Sequence, residues 1–161
     1  MSDNMPDPQM RRVSDIVADY YADHTAYVAE SGRLLAGNKQ VLFDALAAAG
    51  VTQVVVTFDG YGDSGQIENI EVLCGEANCS LPEAEITLTL AGWRGGETKT
   101  EVLSLEDAIE HLVYDFLNQT HSGWENNDGA YGEFTFDVAG RIISLVYNER
   151  YTASESFAHE F

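Results

Sequence analysis

The chain is short of positive charge, of cysteine and of proline, and each shortage removes a class of protein. Lys and Arg number 8 against 27 Asp and Glu, for a net charge of −19. A surface of that sign repels phosphates, so neither nucleic acid nor an anionic membrane is expected as a direct partner. Only two cysteines are present, Cys74 and Cys79, too few for a disulfide-built scaffold. With four residues between them and no neighbouring His or Cys they make a poor metal site, and they read as two reduced thiols near a strand end. Of three prolines, two fall in the opening Met1-Ser-Asp-Asn-Met-Pro-Asp-Pro. That opening is polar and acidic where a secretory signal is basic and then apolar. No apolar run approaches membrane-spanning length. These features point to a cytoplasmic protein.

What is present suits one well-packed core: 161 residues, 45% hydrophobic and 11% aromatic. Residues 1–10 read as a flexible leader and 11–161 as a single domain, without internal repeat or low-complexity linker. Val13, Ile16, Val17, Tyr20, Tyr21, His24, Tyr27 and Val28 recur at helical spacing, with Ser14 or Asp15 as a cap and Gly32 as the stop. A second helix is expected from Asn38, as N-cap, to Gly50. Val51 to Phe58 is β-branched, as in a strand covered on both faces, and Ile67 to Leu73 is its return. Ile86, Leu88 and Leu90 alternate with polar residues as a one-sided strand, closed by Gly92, Gly95 and Gly96.

Helical spacing returns at Ser104, which with Asp107 forms a variant capping box ahead of the apolar face Leu105, Ala108, Ile109, Leu112, Val113, Phe116 and Leu117. Phe134 to Val138 alternates, Ala139-Gly140 turns, and Ile142 to Tyr151 completes a last hairpin. The fold class is therefore α+β: a single domain with a mostly antiparallel five-stranded sheet and about three helices packed on one face.

Two glycine-rich stretches interrupt this pattern. Phe58-Asp-Gly-Tyr-Gly-Asp-Ser-Gly-Gln-Ile-Glu68 holds three glycines and two aspartates, and His121-Ser-Gly-Trp-Glu-Asn-Asn-Asp-Gly-Ala-Tyr-Gly-Glu-Phe134 follows the third helix. Both are read as loops converging at one end of the sheet. Their side chains Asp59, Tyr61, Asp63, Gln66 and Glu68, with His121, Trp124, Glu125, Asn127, Asp128 and Tyr131, are the candidate binding residues. Together with Tyr147-Asn-Glu-Arg-Tyr151, these stretches resemble a family of uncharacterised bacterial proteins, a domain of unknown function associated with plasmids, phages and integrated elements. The resemblance covers roughly residues 50–160. It implies a mobile-element setting and carries no activity with it.

The chemistry open to these stretches is limited. With Gly65 at the glycine position of an EF-hand, ligand positions 1 and 3 fall on Gly60 and Gly62, which have no side-chain oxygen, so an EF-hand is excluded. An irregular cation site using Asp59, Asp63 and Asp128 stands against a turn-and-cap role for the same aspartates. His121 and Glu125 are spaced as base and orienter or as two metal ligands, but Ser64 and Ser122 lack the context of a nucleophile elbow. The bland reading packs Trp124 and Tyr131 over the sheet end and turns the chain at residues 126–129. His24 and His111 read as partly buried, hydrogen-bonded histidines. No catalytic residue, metal or cofactor is assigned.

Charge is the remaining signal. No Lys or Arg occurs from Val41 to Trp93 or from Glu101 to Gly140. Asp15, Asp19 and Asp23 form one stripe and Glu106 and Glu110 another, each at four-residue spacing on a helix. Solubility explains such acidity, and so does a surface that imitates the phosphates of DNA. The favoured expectation is a non-enzymatic binding or accessory protein acting on a protein partner, such as a basic nucleic-acid-binding or defence protein, through its acidic face. The alternative is a metal-dependent enzyme centred on Asp59, Asp63, His121 and Glu125.

Overall fold

The computed structural model describes residues 13–62, 64–92 and 97–161, and the expected leader lies outside them. The elements are α1 (Val13–Ala48), β1 (Gln53–Tyr61), β2 (Ser64–Cys74), β3 (Ala77–Asn78), β4 (Glu85–Leu90), β5 (Lys99–Ser104), α2 (Leu105–Thr120), β6 (Ala130–Asp137) and β7 (Ile142–Glu149). Five strands form an antiparallel sheet in the order β3-β2-β1-β6-β7, while β4 and β5 form a separate two-stranded hairpin. The α+β class holds. The strand at Ile86–Leu90, however, belongs to the hairpin, and β5 and β3 supply pairings that apolar periodicity had not marked.

The central strand explains the layering. Val54, Val56, Phe58 and Gly60 of β1 are buried while Gln53, Val55, Thr57 and Asp59 are only half-covered. One face of β1 therefore meets the core, correcting the expectation of cover on both faces. On that inner face Phe43 of α1 meets Phe136 and Phe116 of α2 meets Phe134, with ring centroids 6.4 and 6.0 Å apart. Both helices thus lie on the inner side. Ser104 caps α2 as expected, its Oγ accepting from the Asp107 N–H at 3.1 Å.

Two helices stand among the described residues where about three were expected, because α1 runs unbroken through Gly32 and Gly37. Neither glycine has the positive φ of a C-terminal cap. Asn38 is not a cap either. It is buried in mid-helix, and its amide donates to the Thr89 carbonyl and accepts from the Thr89 N–H, both at 2.9 Å. One side chain thereby satisfies both backbone groups of Thr89 on the free edge of β4 and pins the hairpin to α1.

The stretch Phe58 to Glu68 is a hairpin, not a loop. Pairing continues through Asp59↔Gln66, Gly60↔Gly65 and Tyr61↔Ser64, and a bulge falls where Thr57 pairs with Asn69 and Phe58 with Ile67. Glu68 is the extra residue. The bulge shifts the inward parity of β2 from Gly65 and Ile67 to Ile70 and Val72, so the apolar side chains stay on the core side. Further along, Cys74 and Cys79 are joined in a disulfide with Cα atoms 5.9 Å apart. This overturns the reduced-thiol reading. A turn at Gly75 (φ +69°) reverses the chain, Cys74 pairs with Ala77, and the Cys79 N–H reaches the Val72 carbonyl at 2.9 Å. Spacing in sequence does not reveal such a reversal. No helix among the described residues is long and apolar enough to cross a membrane.

Candidate functional site

The two glycine-rich stretches do meet at one end of the sheet, but they meet across it. Alternation along β1 sends Gly60 inward and Asp59 outward. Outside, Asp59 is held by Arg150, whose guanidinium donates to both carboxylate oxygens at 2.9 and 3.1 Å and to the Gly60 carbonyl at 3.1 Å. The same guanidinium lies 4.6 Å above the Tyr131 ring, and Tyr131 is the cross-strand partner of Asp59. This fork matches the carboxylate in two places and stacks on an aromatic face, which Lys would not do. Gln66, opposite Asp59, donates to Glu68 at 3.1 Å, and Tyr61 is exposed at the hairpin tip.

Inside, the segment after α2 folds back over the hairpin. Turns close from Gly123 to Asn126 and from Asn126 to Gly129, with Asn127 in the left-handed region at φ 59°. Trp124 lies on the paired Gly60 and Gly65, edge-on to Phe58 at 5.5 Å. A methyl group at Gly60 would sit 2.6 Å from Cζ3 of Trp124 and 2.9 Å from Cα of Glu125. His121 stacks on Tyr147 with centroids 3.6 Å apart, and Asp128 accepts from the Thr152 hydroxyl at 2.7 Å. Burial, helped by Glu149 and then Glu125, holds the Tyr147 phenol above its ordinary value.

Asp59 is therefore on the opposite face of the sheet from His121, Trp124 and Glu125, and it is occupied by Arg150. Asp63 lies outside the described residues. Among the described residues no group of three or more His, Cys, Asp or Glu is placed to hold a metal ion.

What the structure does assemble is a groove along the seam between α2 and the outer edge of β2. At one end is an open cleft of about 500 Å³ lined by Tyr27, Gly65, His111, Tyr114, Asp115, Asn118, Trp124 and Glu125. A smaller one of about 320 Å³ lies further along, between Ile67–Ile70 of β2, including Glu68, and Glu106 and Glu110 of α2. The seam is fixed by Tyr114, whose hydroxyl accepts from the Ile67 N–H at 3.0 Å next to the bulge. Asp115 accepts from the Tyr27 hydroxyl and from the Gln119 amide, each at 2.7 Å. Burial, reinforced by that bond to Asp115, pushes the Tyr27 phenol up to about 12. Glu110 is raised by burial and then by Glu106 and Asp107, so three acids on one helix face compete for their charge.

Of the residues singled out from sequence, Trp124, Glu125, Glu68, Glu106 and Glu110 border this groove. Asp15, Asp19 and Asp23 continue in four-residue steps along α1 to Tyr27, which lines it. Tyr27, His111, Tyr114, Asp115 and Asn118 were missed as site residues. The only mark they bear in sequence is their place off the apolar face of α2, or in α1 at the end of the acidic row.

The fold and groove define an α+β protein with an anionic, aromatic-lined surface. The chain belongs to the family of unknown function DUF6878, whose model matches residues 34–161. No curated protein and no solved structure matches it.

Proposed function

We propose that the protein is a non-enzymatic binding protein whose α2–β2 groove takes a cationic segment of a protein partner. One observation carries this reading. Five carboxylates line the two clefts between α2 and β2, Asp115 and Glu125 in one beside Tyr27, Tyr114 and Trp124, and Glu68, Glu106 and Glu110 in the other, and no Lys or Arg is among their described lining residues. Carboxylates select for Lys and Arg, and aromatic faces add cation–π attraction for a guanidinium. The described arginines are meanwhile spent on the protein's own acids: Arg33 on Glu30, Arg141 on Asp44 and Arg150 on Asp59.

A partner rich in Arg and Lys is most commonly a nucleic-acid-binding protein, and a surface with net charge −19 competes with phosphates for it. The mobile-element setting implied by the motif resemblance suits an inhibitor of that kind, acting on a host regulator or defence protein in the cytoplasm.

The test measures competition with duplex DNA for a basic DNA-binding protein, by fluorescence anisotropy at 50 and 300 mM salt. The native protein is expected to displace DNA at low salt and to weaken at high salt. The double substitution Glu110→Gln with Glu125→Gln is expected to lose about tenfold in potency, an amount set by two charge-assisted contacts at about 0.7 kcal/mol each. Equal potency of the native protein and the double variant would remove the groove from the reading.

A further inference from the structure

The outer edge of β7 is built differently from the other sheet edges, and the difference points to a second copy of the chain. Exposed strand edges invite pairing, and proteins blunt them with short strands, charges or a cover. Among the described residues the opposite end of the main sheet is blunted in each of these ways. There β3 is two residues long, Tyr114 takes the Ile67 N–H, and Glu68 and Glu71 charge the edge of β2. On the outer side of β4 Asn38 takes both backbone groups of Thr89, and β5 carries Lys99 and Glu101. By contrast, β7 is eight residues long, has no charge from Ile142 to Asn148, and leaves Ile142 and Val146 55% and 58% exposed.

We infer that the protein forms a twofold dimer in which β7 pairs antiparallel with β7 of a second copy, fusing two sheets into one. The backbone fixes the parity. The Arg150 N–H reaches the Gly129 carbonyl, so even-numbered residues of this strand turn their backbone groups toward β6 and Ile143, Leu145 and Tyr147 turn theirs outward. A twofold axis at Ser144 then makes Ile143 and Leu145 of opposite copies a hydrogen-bonded pair. It also sets Ile142 of one copy against Val146 of the other, covering both exposed side chains in close, non-hydrogen-bonded positions. The two copies repel through their net charge of −19 each, so the dimer strengthens as salt rises. That trend is the reverse of the one expected for capture of a cationic partner by the groove.

Sedimentation velocity of the full chain from 5 to 500 µM, at 50 and 500 mM salt, tests this. A monomer–dimer equilibrium that tightens with salt is expected, and Ser144→Lys, which opposes two cations across the axis, is expected to weaken it at least tenfold. Circular dichroism checks that this exposed position leaves the fold intact. Independently, Ser144→Cys is expected to give a covalent dimer under mild oxidation, whereas Val102→Cys on β5 does not. A monomer throughout overturns the proposal, and so does a dimer that neither Ser144 substitution affects.

Discussion

Gly60, Gly65 and Trp124 show what single residues decide here. In sequence the glycines look like the punctuation of a loop. In the structure Gly60 and Gly65 are a cross-strand pair that must lack side chains so that the indole can lie on them. Only Gly62, at the tip with φ +64° and open space around it, is there for its backbone. The three positions should therefore respond differently to Ala. Gly65→Ala puts a methyl group 2.8 Å from Cζ3 of Trp124, and is expected to destabilise by about 1–3 kcal/mol, as overpacking does. It should also change the near-ultraviolet circular dichroism of the indole. Gly62→Ala is expected to lose about 1 kcal/mol to the left-handed backbone alone, with the aromatic signal preserved. If thermal melts ranked the two together and both spectra were unchanged, the indole would not be resting on that pair. Asp59 carries a similar lesson. Its residue type suggested a cation ligand, and only the return of β7 to the same end of the sheet brings Arg150 to it.

At the scale of elements, α2 and the alternating strands were legible because local period and burial coincide. Leu105, Ala108, Ile109, Leu112, Val113 and Leu117 are all buried, as their spacing requires. Legibility failed where a tertiary contact overrode a local signal. Gly32 resembles a helix stop, yet α1 continues because its later turns bury Leu42, Phe43 and Leu46 and tie Asn38 to β4. The three-residue step from Ile67 to Ile70 is a readable sign of the bulge, since an unbroken strand would keep apolar residues two apart. Pairing of β5 and of the cysteines depends on chain reversals that composition does not encode. Of the site itself, Trp124 and Glu125 were legible as a motif, but the groove needed α2 and β2 to be placed side by side. The glycines inside α1 make a direct check. Gly37 is exposed, has ordinary helical φ, and a methyl group there would meet nothing within 4 Å. Gly37→Ala is accordingly expected to stabilise the protein by about 0.5–1 kcal/mol in urea unfolding. A loss of stability would mean that α1 is not continuous at that point.

For the whole molecule the governing quantity is the imbalance of 27 acids against 8 bases, and its sharpest local expression is Glu110. The folded chain holds the Glu110 proton more tightly than the unfolded chain does, because burial and the neighbouring Glu106 and Asp107 disfavour its charge. Well below the ordinary value of 4.5 the carboxyl is protonated in both states and no penalty exists. As the pH rises through 4.5 the unfolded chain gives up this proton first, so the folded state binds more protons and stability falls until the raised folded value is passed. Above that the penalty is constant. Glu110→Gln should therefore leave stability unchanged near pH 3.5 and raise it at pH 7. The gain is expected to be a few tenths of a kcal/mol, about 1 °C in Tm, given the size of like-charge repulsion on a helix. The other acids titrate in both proteins, so the informative quantity is the difference between the two melting curves across pH. That difference should shrink in 0.5 M salt. Were it flat from pH 3.5 to 7, Glu110 would not be a point of charge stress. The acidic seam would then have no cost of folding for a cationic partner to relieve. If the difference follows the expected curve, binding of such a partner should erase it, because a cation beside Glu110 restores the charged form that the isolated fold disfavours.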